Sequence, residues 1–159
     1  MNSIKAVFWD FGGVITTSPF DSFNLYEEKH GLEKDFIRRV NSTNPDSNAW
    51  AKLERNQIDL SEFNDLFLNE STNLGYPIQG VDVISLLQGQ IRPEMIQALK
   101  AIKGNLIQAC LTNNIVSPET QLNDQNVSIA GKNEEIMSLF DFVIASSEQN
   151  VRKPDPAFY

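Results

Sequence analysis

Apolar residues along the chain fall into two rhythms. Residues 4 to 9, IKAVFW, form a short continuous apolar run rich in β-formers, and LIQACLTNN and FDFVIAS repeat the pattern further on. Runs this short, bounded by turn-forming or polar residues, predict buried strands of a parallel sheet. Between the first two runs the spacing lengthens to three or four. DSFNLYEEKHGL, EKDFIRRVNST, NAWAKLER and DLSEFNDLFLNEST each read as amphipathic helix, separated by Gly, Pro or Asn. RPEMIQALKAIKGN predicts a further helix, with Pro93 in its first turn and Gly104 at its end. A polar stretch from Asn113 to Gly131 precedes a short helix over NEEIMSLF and the third strand.

Strands alternating with helices predict an α/β fold with a Rossmann-like, three-layer core around a parallel sheet. Residues 1–16 and 89–159 form that core, and residues 17–88 are a helical insertion after the first strand. DPAFY at the end reads as a helix start, with Asp155 as cap and Pro156 in the first turn. Sheets usually hold about four to six strands. The three strands read here therefore predict an incomplete core, cut before later strands.

Composition narrows the partners. A chain of 159 residues with 41% hydrophobic content suits one folded core. Its net charge of -8 repels nucleic acid and anionic membrane. The single cysteine, Cys110, excludes an internal disulfide, and MNSIKAVFWD has an aspartate where a secretory leader would be apolar, so the cytoplasm is the expected location. No apolar run reaches the length of a membrane span.

In open parallel α/β sheets, ligands bind beyond the carboxyl ends of the strands. Asp10 follows the first strand, Thr112 and Asn113 end the second, and Lys153 follows the third. An acid, a hydroxyl with adjacent amides and an ammonium suit phosphoryl transfer, as nucleophile, hydrogen-bond donor to a phosphate oxygen and charge clamp. Spacing alone also reads Asp10 as a turn or helix cap.

DFGGV, LTNN and VRKPDP, each after a strand, resemble the first three motifs of the haloacid dehalogenase superfamily. The chain is similar to its helical-cap branch, in particular to the phosphatase-like domains of soluble epoxide hydrolases and of acyl-CoA dehydrogenase fusions. The resemblance covers nearly the whole chain. It implies that Asp10 attacks the substrate, that Thr112 and Lys153 complete the catalytic set, and that Gly12, Gly13, Asn113 and Asn114 bind phosphate. It also implies Mg²⁺ held by the Asp10 carboxylate and the Gly12 carbonyl. The substrate would be a small phosphorylated or halogenated molecule.

Two departures from the family pattern bear on the chemistry. The superfamily's phosphatases carry a second aspartate, the general acid and base, where this chain has Gly12. The glycines let the backbone turn tightly, while Gly12 marks either altered or lost catalysis. The fourth motif, an acidic pair on a further strand, is absent up to Tyr159, which predicts weak Mg²⁺ binding and leaves IKAVFW as an edge open to homodimer pairing. Three readings stay open: a phosphatase acting on phosphate esters or acyl phosphates, a metal-independent hydrolytic dehalogenase, and a noncatalytic relative that binds a phosphate ligand or a protein.

The remaining candidates have plainer readings. His30 precedes Gly31 at a helix end and Cys110 lies within a strand, so both are structural. Arg38 and Arg39 form a solvated face, and Trp50 with Phe20, Phe23, Phe36, Phe63 and Phe67 fills the helical block, Phe20 and Trp50 being candidates to line a cleft.

Overall fold

The computed structural model describes residues 4–115 and 134–159. The polar stretch Asn113–Gly131 therefore lies mostly outside the described residues. The apolar runs form three parallel strands, β1 (Ala6–Trp9), β2 (Ile107–Thr112) and β3 (Phe142–Ala145). β2 is central, with Trp9 opposite Cys110 and Thr112 opposite Ala145, so the carboxyl ends of all three open on one side.

Five helices follow β1: α1 (Pro19–His30), α2 (Phe36–Ser42), α3 (Ala49–Glu54), α4 (Leu60–Asn73) and α5 (Gly80–Ser85). The first four occupy the amphipathic segments. α5 escaped the pattern because it spans under two turns and begins at glycine. Local signals set the starts: Ser18 caps α1, Asn48 caps α3, and Asp59 with Glu62 forms a reciprocal box at α4. α2 has no such cap of its own. Instead, the buried Glu27 of α1 accepts the Asp35 and Ile37 N–H groups at 2.7 and 2.8 Å. Phe23, Phe36, Ile37, Val40, Phe63 and Phe67 give this lobe an apolar core of its own.

Two short segments join the lobe to the sheet. Thr16 and Ile91 pair antiparallel, the Thr17 N–H donates to the Gln90 carbonyl at 2.8 Å, and the Arg92 N–H donates to the Ile15 carbonyl at 2.9 Å. Gly89 is required here, because a Cβ would lie 2.9 Å from the Thr16 side chain and the Thr17 carbonyl.

The chain then enters α6 (Pro93–Ile102), with Pro93 in its first turn and Gly104, at φ 82°, just beyond its end. Alternation along β2 builds a layer on each face. Cys110 joins Phe11, Ile15, Leu99, Leu139 and Phe140 on the α6 side. Ala109 and Leu111 meet Phe158 on the other. Among the described residues that second layer packs on β2 and β3 but not on β1, so Phe8 stays 68% exposed and IKAVFW is not the fully buried strand its apolar run implied. Two short helices, α7 (Glu134–Met137) and α8 (Ser146–Gln149), flank β3. Pro156–Phe158 forms one tight turn, capped by Asp155 as its sequence indicates.

Candidate active site

Asp10 leaves β1 at the start of a single wide turn over Phe11–Ile15, and its Oδ1 accepts the Phe11 N–H at 2.8 Å. The capping role read from spacing is thus present. The same oxygen meets Lys153 Nζ at 2.7 Å, across the ends of β1 and β3. No described group hydrogen-bonds Oδ2, and the side chain is 47% exposed.

Lys153 is held from several directions. Its Nζ also donates to the Leu111 carbonyl at 2.7 Å. Asn113 clasps its main chain: Oδ1 accepts the Lys153 N–H at 2.9 Å, and Nδ2 donates to the Lys153 carbonyl at 3.2 Å. Thr112 is buried beside them, its Oγ1 donating to the Asn113 carbonyl at 3.3 Å. Asn114 turns toward the scaffold. Its N–H donates to Ser146 Oγ and its Oδ1 accepts the Ser147 N–H.

The two glycines differ. Gly13 has φ 79°, a left-handed conformation that favours glycine. Gly12 has φ -67° and ψ 125°, open to any residue, and a Cβ there would meet nothing within 4 Å. The tight-turn explanation therefore holds for Gly13 and fails for Gly12, where the chain simply presents no side chain toward open space.

Sequence reasoning missed Glu54 and Arg152. Glu54 ends α3 in the helical lobe yet is 8% exposed, and its Oε2 lies 3.0 Å from Arg152 Nε and 3.5 Å from Asn113 Nδ2. The available signal was an acid placed three and four residues after Ala51 and Trp50, on an otherwise apolar face. Arg152 stood inside VRKPDP beside the more conspicuous Lys153. Burial pushes the Glu54 carboxyl above the usual range, against the opposing pull of Arg152, Trp50, Lys153 and Arg55. Burial and the Asp10 charge push the Cys110 thiol up to about 12, so it stays protonated and inert, in keeping with its structural reading.

The lesser candidates are mostly surface groups, and Phe20, read as filler of the helical block, is 44% exposed and lies outside the lobe's core. His30 is exposed and stacks on Tyr26, and Arg38 and Arg39 pair with Asp35 and Glu33 at the surface. Phe20 lies under the Arg38 guanidinium, and Trp50 packs edge-on against Phe63.

Among the described residues no group of three or more His, Cys, Asp and Glu side chains could hold a metal ion. The Asp10 carboxylate and Gly12 carbonyl are hard oxygen donors of the kind Mg²⁺ prefers, but a six-coordinate ion would draw its other ligands from water. These donors by themselves do not enclose an ion.

A parallel sheet with helices on it, an acid and an ammonium paired at its carboxyl end, and a helical lobe inserted after the first strand define an α/β protein with a Rossmann-like core. Residues 4–159 match the haloacid dehalogenase-like hydrolase family, and the chain belongs to it. A sesquiterpene phosphatase of Aspergillus oryzae is 27% identical over 163 residues, covering 99% of this chain and 71% of that protein. The structure of L-2-haloacid dehalogenase from Xanthobacter autotrophicus, with chloropropionic acid covalently bound, aligns at a TM-score of 0.58 and 20% identity, over 99% of this chain and 62% of that one. A family enzyme of Bacteroides thetaiotaomicron, in complex with magnesium and inorganic phosphate, aligns at 0.56 and 15% identity, over 98% and 75%. The chain thus spans about two thirds of the length of these proteins. No described helix is long and apolar enough to cross a membrane.

Proposed function

We propose that this hydrolase cleaves small phosphate esters or acyl phosphates through Asp10 as nucleophile, with residues 17–88 acting as a cap over the crevice. The supporting observation is the Asp10–Lys153 pair: Lys153 engages Oδ1 at 2.7 Å while no described group hydrogen-bonds Oδ2. In the first step Oδ2 bonds to phosphorus and the bond from phosphorus to the leaving oxygen breaks. Water then attacks the aspartyl phosphate, releasing phosphate and restoring the carboxylate. Lys153 offsets the charge of the nucleophile and the transferring group, and Thr112 with the Asn113 main-chain amide receives phosphoryl oxygens. The Asn113 side chain is committed to Lys153 and Glu54, so its part is support.

Gly12 sharpens the substrate class. Without an acid at that position, a carboxylate leaving group, which departs unprotonated, is favoured over an alkoxide. The same vacancy favours a second reading, hydrolytic dehalogenation, since halide also leaves without a proton. That chemistry belongs to the Xanthobacter relative by its name.

The discriminating assay measures phosphate release from acetyl phosphate and halide release from 2-chloropropionate, each with and without Mg²⁺. Phosphate release lost in Asp10→Asn supports the first reading, and halide release lost in the same variant supports the second. Activity that survives Asp10→Asn refutes both.

A further inference from the structure

An acid at the end of α3 occupies a place where an apolar side chain would avoid desolvation. Burying an ion pair such as Glu54–Arg152 costs each partner its hydration, and the pair gains little net stability over apolar packing. What it does supply is a defined geometry. Glu54 Oε2 reaches Arg152 Nε at 3.0 Å and Asn113 Nδ2 at 3.5 Å. Both partners also touch the Lys153 main chain: Arg152 Nε donates to its carbonyl at 3.3 Å, and Asn113 bonds its N–H and carbonyl. Lys153 in turn reaches Asp10 at 2.7 Å. A continuous polar chain therefore runs from the helical lobe to the proposed nucleophile. Ile115, just beyond Asn113, packs on the lobe's apolar core and strengthens the same junction.

We propose that Glu54 is a positioning residue through which the lobe sets Lys153 against Asp10, so that the ammonium is in place only while lobe and core are joined. A purely local ion pair would tie the lobe down without reaching the Lys153 loop. Here the Arg152 and Asn113 contacts of Glu54 fall on groups that bond the Lys153 main chain. The catalytic consequence rests on Asp10 being the nucleophile, whereas the structural coupling does not.

The test uses two readouts. Amine acetylation by acetic anhydride, followed by mass spectrometry, compares Lys153 with the exposed Lys5 as internal standard. In Glu54→Gln the relative labelling of Lys153 should rise severalfold while circular dichroism is unchanged, and Arg152→Lys should give a rise in the same direction. Hydrolysis of acetyl phosphate gives the second readout: Glu54→Gln should lower kcat/KM by about tenfold to a hundredfold, the scale of a small misplacement in a reacting site. In a Lys153→Met background the same change should cost less than twofold, because its route is gone. Unchanged Lys153 labelling in folded Glu54→Gln and Arg152→Lys overturns the proposal, as does a full multiplicative loss in the Lys153→Met background. If the parent chain releases neither phosphate nor halide, the Asp10 reading fails and labelling alone decides the coupling.

Discussion

Gly12→Asp tests whether the missing side chain limits the chemistry. The backbone at Gly12, φ -67° and ψ 125°, accepts an L-residue, and the new Cβ has no atom within 4 Å. Replacing glycine without strain stabilises by about 0.4–1 kcal/mol through the unfolded chain. Against this stands repulsion from Asp10. Two carboxylates about 7 Å apart, in a solvent-like dielectric of about 40–80, repel by roughly 0.6–1.2 kcal/mol. The Lys153 ammonium at 2.7 Å from Asp10 reduces that further. The two effects nearly cancel, so the melting temperature should move by no more than about 4 °C. The kinetic effect is larger. A positioned general acid contributes about a hundredfold to ten-thousandfold, and the lower bound corresponds to about 2.7 kcal/mol of barrier. The assay compares kcat/KM for glycerol phosphate, whose alkoxide needs a proton, with acetyl phosphate, whose carboxylate does not. The ratio should shift toward the alkyl ester by about a hundredfold. A folded variant with the ratio unchanged within about threefold would show that this position does not limit leaving-group departure.

Two further outcomes follow from buried carboxylates. Glu27→Ala removes the acceptor of two N–H groups at the start of α2, each a charge-assisted bond worth about 1.5–3 kcal/mol, so thermal unfolding should drop by roughly 6–24 °C; a change below about 2 °C would mean that water serves those groups equally well. Glu54 bears on pH dependence. Its raised pKa means that the folded state holds the proton more tightly than the unfolded one, so its contribution is complete below the ordinary carboxylate range and is lost as pH climbs through the raised value. The melting temperature of Glu54→Gln minus that of the parent should accordingly increase between pH 4 and pH 8, and a flat or falling difference would place the folded pKa at or below its usual position.

The sequence carried the sheet and most of the lobe because those features rest on local rules. Strand runs, the Ser18 and Asn48 caps, the Asp59–Glu62 box and Pro93 each act within a few residues, so their consequences can be read before any contact is known. Asp10 and Thr112 were legible as candidates for a related reason: the carboxyl end of a parallel strand has a fixed address in this kind of sheet, whereas Lys153 lies in the loop beyond β3 and α8 and returns to that end only in the fold. What stayed hidden depends on distances between segments far apart in the chain. Phe8 reads as core until the second layer is seen to end short of β1. Gly12 reads as a turn glycine until its φ separates it from Gly13.

Glu54 is the strongest case. On its own helix the apolar neighbours Trp50 and Ala51 hint at burial, but no local rule names its partners. Only the meeting of α3 with the loops after β2 and β3 gives it partners, and those partners lie 59 residues along the chain at Asn113 and farther still at Arg152. The same distance makes it informative. A buried charge that the helix does not need, facing two groups that the sheet already uses to fix Lys153, constrains how lobe and core must meet far more tightly than apolar packing could. Leu or Met there would tolerate a slide of the lobe by an ångström with little loss, whereas a carboxylate bound to Arg152 Nε at 3.0 Å would break its bond and leave a buried charge unpaired. The cost of misalignment is thus concentrated at the junction that governs the proposed nucleophile.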